Sequence, residues 1–293
     1  MLTKEQLQQK IADGVHFLDG ATGSNLQKAG MPKGCCTEQW VLANPDVLVN
    51  LQRQYAQAGS QILYAPTFQA QPIALSRVGL DKQTEAVNAQ LVALSRSAAP
   101  QCLIAGDLTT LAAFCDSWDA DNIDLLVENY RRQIRGLIDG GADLLAAETL
   151  MYPQEAEAIL AAAELEGAGA VMFSFVMTSD GTLFSGPDAL PVLKDLEESG
   201  AAAVGFNCVA ADMMTPYLVR KLAKEIRIPI LCKPNAGNPV VNAAGVPEYS
   251  MDAQEFSQVL LDCRRSGAKL LGGCCGTTPE HIAAAKQILA PTF

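Results

Sequence analysis

The chain has 293 residues, 49% of them hydrophobic and 18% charged, with a formal net charge of −11. That balance suits a globular enzyme with a large core. The negative sign, with no Lys/Arg run, argues against nucleic acid, because phosphate binding needs clustered cations. The chain opens on a polar helical pattern, Met1 to Gly14, in which Thr3 and Gln6 are spaced as a capping box. It shows no apolar segment of a secretory signal, and no stretch reaches the roughly 18 apolar residues of a membrane span. A cytoplasmic location without membrane contact is expected. The nine cysteines are then mostly reduced, and their odd number is no disulfide framework. With only His16 and His281 present, a histidine-rich metal site is excluded, and neither histidine stands beside a nucleophile-elbow motif.

Eight short apolar runs follow in order, with helical patterns between them: Val15–Asp19, Gln61–Ala65, Cys102–Gly106, Asp143–Glu148, Ala170–Val176, Ala202–Asn207, Ile228–Lys233 and Ala268–Gly273. Near-continuous apolar strands alternating with helices indicate a parallel sheet covered by helices. The segments Ala58–Gln61, Gly140–Asp143, Ser199–Ala202 and Ser266–Lys269 each place a glycine where a helix should end, just before a strand. Eight βα units without a Pro/Gly/Ser-rich linker predict a (β/α)₈ TIM barrel, α/β in class, as a single domain over residues 1–293. A doubly wound open sheet is the alternative, but no G-x-G-x-x-G follows the first strand.

In such barrels the active site lies at the C-terminal ends of the strands. There the sequence reads Asp19-Gly20-Ala21-Thr22-Gly23-Ser24 after strand 1 and Pro66-Thr67-Phe68 after strand 2. Strand 4 ends in Glu148-Thr149, strand 6 in Asn207-Cys208, strand 7 in Lys233-Pro234-Asn235-Ala236-Gly237, and strand 8 in Gly272 to Thr277 with the pair Cys274-Cys275. Cys208, Cys274 and Cys275 come from next-but-one strands and could converge. Three thiolates with one open position make a catalytic zinc site, and Gly272, Gly273 and Gly276 would permit the turn that lets adjacent cysteines share an ion. Spacing alone leaves open the alternative of three buried cysteines acting as small hydrophobes. Cys35-Cys36 lies in a polar loop, and Cys102, Cys115, Cys232 and Cys263 are expected to be buried without partners.

Asp19 and Glu148 close apolar strands, where a carboxylate needs a cation or several donors. A substrate ammonium would serve, and the amides of Gly20 through Ser24 could receive a carboxylate, so an amino acid is the expected ligand. Thr67 and Phe68 after strand 2 and Asn207 at the end of strand 6 complete the candidate substrate contacts. Thr278 and Pro279 read as the start of a helix, with His281 in its first turn as a surface residue.

These motifs resemble the zinc-dependent homocysteine S-methyltransferases. The segment Asp19–Ser24 resembles the family's opening D-G-x-x-G motif, and Gly205–Cys208 with Gly272–Thr277 look like its two zinc-ligand motifs. Pro234–Gly237 and Gly272–Ile282 look closest to the homocysteine-binding barrel of cobalamin-dependent methionine synthase. The resemblance implies zinc held by Cys208, Cys274 and Cys275, a homocysteine thiolate as fourth ligand, and Asp19, Glu148 and the amides after Asp19 on the amino-acid end. The loops Ala65–Gln71 and Gly106–Thr110 depart from the usual T-N-T-F and G-P-T sequences. The methyl donor therefore stays open between methylcobalamin on a separate corrinoid or folate-binding protein and a small molecule such as S-methylmethionine, S-adenosylmethionine or betaine. Three other readings fit the cysteines: methyl transfer to a different thiol, a corrinoid-linked demethylase subunit, or a structural zinc barrel acting as a binding subunit.

Overall fold

The computed structural model describes residues 1–115, 117–242 and 247–289; residues 116, 243–246 and 290–293 of the expected domain lie outside the described residues. Eight parallel strands form one sheet: β1 His16–Phe17, β2 Ile62–Tyr64, β3 Leu103–Thr109, β4 Leu144–Leu150, β5 Val171–Phe175, β6 Ala203–Ala210, β7 Ile230–Asn235 and β8 Leu270–Leu271. Their order around the sheet is β1-β8-β7-β6-β5-β4-β3-β2. The two ends meet through a parallel bridge between Leu18 and Ile62 and a hydrogen bond from the Gln61 amide to the Phe17 carbonyl at 2.7 Å. The sheet is therefore a closed (β/α)₈ barrel. Helices Pro45–Ala58, Thr84–Ala98, Ala120–Asp139, Pro153–Leu165, Ala189–Glu198, Thr215–Ala223, Ala253–Ser266 and Pro279–Leu289 follow the eight strands in turn.

Alternation along the strands divides the core in two. Residues such as Phe17, Leu63, Ile104, Leu145, Phe173 and Phe206 pack between sheet and helices, while Ile62, Ala105, Ala146, Met172, Ala203, Leu231 and Leu270 fill the barrel interior. Helix Lys4–Lys10, held by the expected Thr3–Gln6 capping box, brings Leu7 into that interior cluster together with Ile11. The helix endings also match expectation. Gly59 and Gly267 cap their helices at φ 109° and 119°, and Gly141 and Gly200 stand one residue beyond at φ 82° and 99°. Among the described residues, no helix is long and apolar enough to cross a membrane.

β1 and β8 are shorter than expected, β3 and β4 run on to Thr109 and Leu150, and two further extensions bear on function. β7 runs on to Asn235, and β6 runs past Cys208 to Ala210. Between Asn207 and Ala210 the pairing with β7 shifts register, and a second shift falls between Ala147 and Leu150 on the β4–β5 edge. Each irregularity contains the only positive-φ non-glycine residue of its strand, Cys208 at 58° and Thr149 at 60°. Such a conformation costs a side-chain-bearing residue on the order of 1–3 kcal/mol and persists only when its surroundings over-determine it.

Three side-chain expectations need correction, one of them Cys115, which is only partly buried. His281 is buried rather than on a helix surface: Nδ1 meets the Thr278 hydroxyl at 2.9 Å, Nε2 meets the Met251 carbonyl at 3.1 Å, and the ring stands edge-on to Phe256. Cys232 and Cys263, expected to lack partners, face each other across the β7–helix contact with sulfurs 3.8 Å apart. The changes at His281 and at the Cys232–Cys263 pair follow from the helices packing closely on the sheet, which brings together residues far apart in sequence.

Candidate active site at the C-terminal rim of the barrel

The inward columns of the strands change character toward their C-terminal ends. Below are Ala105, Ala146, Ala203 and Leu231; above them on the same faces stand Asp107, Glu148, Asn207 and Lys233. Above this polar layer opens a cavity of about 380 Å³, within the size range of small-molecule sites. The loop Gly20–Ser24 lines it on one side and the three cysteines on another, with Asp19, Tyr64, Asp107, Glu148 and Lys233 at its floor.

The sulfurs of Cys208, Cys274 and Cys275 all lie within 4.8 Å of one another. The Cys208–Cys275 separation is 3.9 Å, close to the roughly 3.8 Å edge that a tetrahedral zinc with bonds of about 2.3 Å demands. Local structure explains how three sulfurs reach one point. The left-handed backbone at Cys208 breaks the β6 alternation. On the β8 side, the Cys274 amide bonds the Pro234 carbonyl and the Cys275 carbonyl accepts from the Ala236 amide, so both ends of the pair are pinned to the end of β7. Only Gly276 of the three expected hinge glycines has positive φ, at 82°, and a Cβ there would lie 2.3 Å from Tyr249. Gly272 and Gly273 are required instead by close approach, to the Asp19 carbonyl and to the Thr277 side chain. Hydrogen bonding to Cys274 and Cys275 pushes the Cys208 thiol far up, while the bonds that Cys275 receives from Cys208 and Cys274 pull it down to about 3. Of the three, Cys275 is the sulfur that ionises most readily.

Asn207 ties the two strained residues together. Its Oδ1 accepts from the Thr149 amide at 2.8 Å and the Ser174 hydroxyl at 3.0 Å. Its Nδ2 donates to Thr149 Oγ1 at 2.8 Å and to the Cys274 sulfur at 3.8 Å. Thr277 links the loops of β1 and β8: its Oγ1 accepts from the Ala21 amide at 3.1 Å and donates to the Cys274 carbonyl at 2.7 Å.

Lys233 governs the electrostatics of the floor. Its Nζ lies 3.0 Å from Glu148 Oε2, 3.5 Å from Asp19 Oδ1 and 3.5 Å from the centre of the Tyr64 ring. Burial alone would strip its proton, but Glu148, Tyr64 and Asp19 more than offset this and hold it charged. Burial likewise pushes Asp19 up to about 6, against the pull of Lys233 and of the Tyr64 amide on its Oδ2. Asp107 is driven well above the carboxylate range by burial and then by repulsion from Glu148. The protein thus supplies a cation of its own to both Asp19 and Glu148. Lys233 and Asp107 are the site residues to which sequence reasoning assigned no role. The signal was the one used for Asp19 and Glu148, a charged side chain at the end of an apolar strand.

The remaining expected contacts divide. Gly20, Ala21, Thr22, Gly23, Ser24 and Phe68 line the cavity, but the Ala21 amide is committed to Thr277. Thr67 and Asn207 are fully buried behind the cavity wall. The Thr67 hydroxyl donates to the Asp107 carbonyl and accepts from its amide, so it fixes the backbone that carries Asp107.

The homocysteine S-methyltransferase family model matches residues 16–289. The chain belongs to that family. Two relatives, each 28% identical, differ in how much of their length this chain spans. A homocysteine S-methyltransferase of Escherichia coli is matched over 92% of this chain and 94% of its own length. A methionine synthase of Mycobacterium leprae is matched over 94% of this chain, which spans only 24% of that protein. The metallated crystal form of the homocysteine methyltransferase MmuM from Escherichia coli superposes with a TM-score of 0.82 at 26% identity, covering 96% of this chain and 99% of that one.

Proposed function

We propose that this homocysteine S-methyltransferase barrel transfers a methyl group to the sulfur of homocysteine, giving methionine, with zinc held by Cys208, Cys274 and Cys275. The observation that carries the reading is three sulfurs within 4.8 Å of one another at the wall of a cavity whose other groups suit an amino acid. Zinc bound there would keep an incoming thiol deprotonated near neutral pH, where a free thiol, with a pKa near 8.5, is mostly protonated. The amides of the Gly20–Ser24 loop, apart from that of Ala21, face the carboxylate, and Glu148 faces the ammonium. Held at both ends, the substrate presents its sulfur to the open side of the cavity, where an electrophilic methyl group is approached in line; positioning and exclusion of water are the protein's contribution.

For the donor we favour a methyl carrier presented by a second protein, methylcobalamin on a corrinoid protein being the leading case. The support is a set of exposed apolar side chains on the segments following β5, β6 and β7: Phe184, Met213, Tyr217 in the first turn of its helix, Val240 and Val241. A small molecule such as S-methylmethionine, S-adenosylmethionine or betaine needs no apolar rim of this kind. The decisive assay is methionine formation from zinc-loaded protein, homocysteine and each donor in turn, methylcobalamin included. Methionine is expected with at least one donor; none with any donor rejects the activity.

A second test concerns Asn207, whose amide orients Cys274 and Thr149. Asn207→Ala is expected to weaken zinc affinity by about 10- to 100-fold, the usual cost of losing a residue that orients a metal ligand. Competition with a chromophoric chelator measures it, and unchanged affinity would detach Asn207 from the metal site.

A further inference from the structure

We infer that Asp107 is a substrate-binding residue that takes the ammonium of the amino-acid substrate, in company with the free oxygen of Glu148. The inference rests on the homocysteine reading above and adds the group that decides between an amino-acid thiol and a simple thiol acid.

The argument is an accounting of oxygens around Lys233. Asp19 uses Oδ1 on the Lys233 ammonium and Oδ2 on the Tyr64 amide, and it is 1% exposed. An incoming cation could reach it only by displacing one of these. Glu148 uses Oε2 on Lys233, which leaves Oε1 without a bond among the described residues. Asp107 also lines the cavity, yet its Oδ1 is buried with no hydrogen-bond partner. A buried polar atom left unmade is costly, the more so on a carboxylate.

Its neighbours cannot supply the partner. The Thr67 hydroxyl and the Gln133 amide both engage the Asp107 backbone rather than its carboxylate. Lys233, the cation of the cavity floor, is already shared among Glu148, Asp19 and the Tyr64 ring. β3 and β4 are adjacent, with Thr109 opposite Glu148 and Asp107 opposite Ala146, so Asp107 and Glu148 rise from neighbouring strands into the same space. An ammonium placed between them offers three donors to the oxygens that lack one. It also brings a second positive charge to a floor that holds one lysine and three acidic side chains.

The test compares binding of homocysteine and of 4-mercaptobutanoate, the same thiol acid without the amino group, to zinc-loaded protein by isothermal titration. Wild type should prefer homocysteine by about 10- to 100-fold, the range for hydrogen bonds to charged groups. In Asp107→Asn that preference should collapse toward one. Asp107→Ala, which removes the orphan oxygen altogether, should show the same collapse if the asparagine variant folds poorly. A preference retained in both variants overturns the assignment. So does an equal loss of affinity for both thiols, which would mark Asp107 as structural. Turnover of homocysteine by wild type, assayed in parallel, reports separately on the proposed activity, so failure of one reading is not mistaken for failure of the other.

Discussion

Replacement of Cys274 by serine should abolish zinc binding and methyl transfer together while leaving the barrel folded. A serine hydroxyl does not ionise near neutral pH, so the site would keep two thiolates where a catalytic zinc uses three protein ligands. Without the ion, a thiol of ordinary pKa near 8.5 is only about 3% ionised at pH 7, which alone lowers the rate roughly 30-fold. Loss of positioning lowers it further, to a total on the order of 10³-fold or more. The fold should survive because Cys274 lies in the rim loop after β8, and its backbone bond to Pro234 is kept. Metal per chain, turnover and melting temperature are measured on one preparation. Full zinc with normal turnover in this variant would reject the ligand assignment.

Lys233→Met carries the second large effect, on stability. It leaves Asp19 and Glu148, at 1% and 9% exposure, without the cation that both share. Removing one partner of a buried ion pair typically costs about 3–5 kcal/mol. The pH dependence distinguishes this cause from simple mispacking. Asp19 in the folded protein titrates at about 6, above its ordinary 3.8, so the folded state binds more protons than the unfolded chain across that interval. Its contribution to stability is therefore fully present below about pH 4 and is lost as pH rises through about 6. Lys233 holds both carboxylates down, so its removal lifts them further. The deficit of the variant should be greatest at pH 7 and narrow toward pH 5. Urea unfolding at the two pH values measures it; a gap of constant size would point to lost packing instead.

The barrel was legible because its strands are buried on both faces, leaving apolar runs that need no long-range information to recognise. Strand ends were less so. β6 and β7 continue beyond their apolar stretches because their neighbours on the sheet supply hydrogen bonds to Cys208–Ala210 and Pro234–Asn235, and a polar residue in a ladder looks like a loop when read alone. The cysteine trio could be nominated from two glycine-flanked motifs, since the strand order of a barrel is known in advance. The inner layer could not be assembled the same way. Asp107 and Lys233 were both in view, but which charge faces which depends on register across β3, β4 and β7, and that is set by pairing rather than by local pattern. The partner of Thr67 was hidden for a related reason: its hydroxyl meets the β3 backbone, forty residues away, which spacing cannot nominate.

Thr277 has a consequence for energetics. Through it, the loop that would grip the amino-acid end and the loop that carries Cys274 hold each other in place, so order gained in one is shared with the other. Occupancy of the sulfur trio and occupancy of the Gly20–Ser24 cradle then become thermodynamically linked. Whatever factor the ion adds to affinity for the amino acid, the amino acid returns to the ion, and a chelator would meet its strongest resistance from protein saturated with homocysteine.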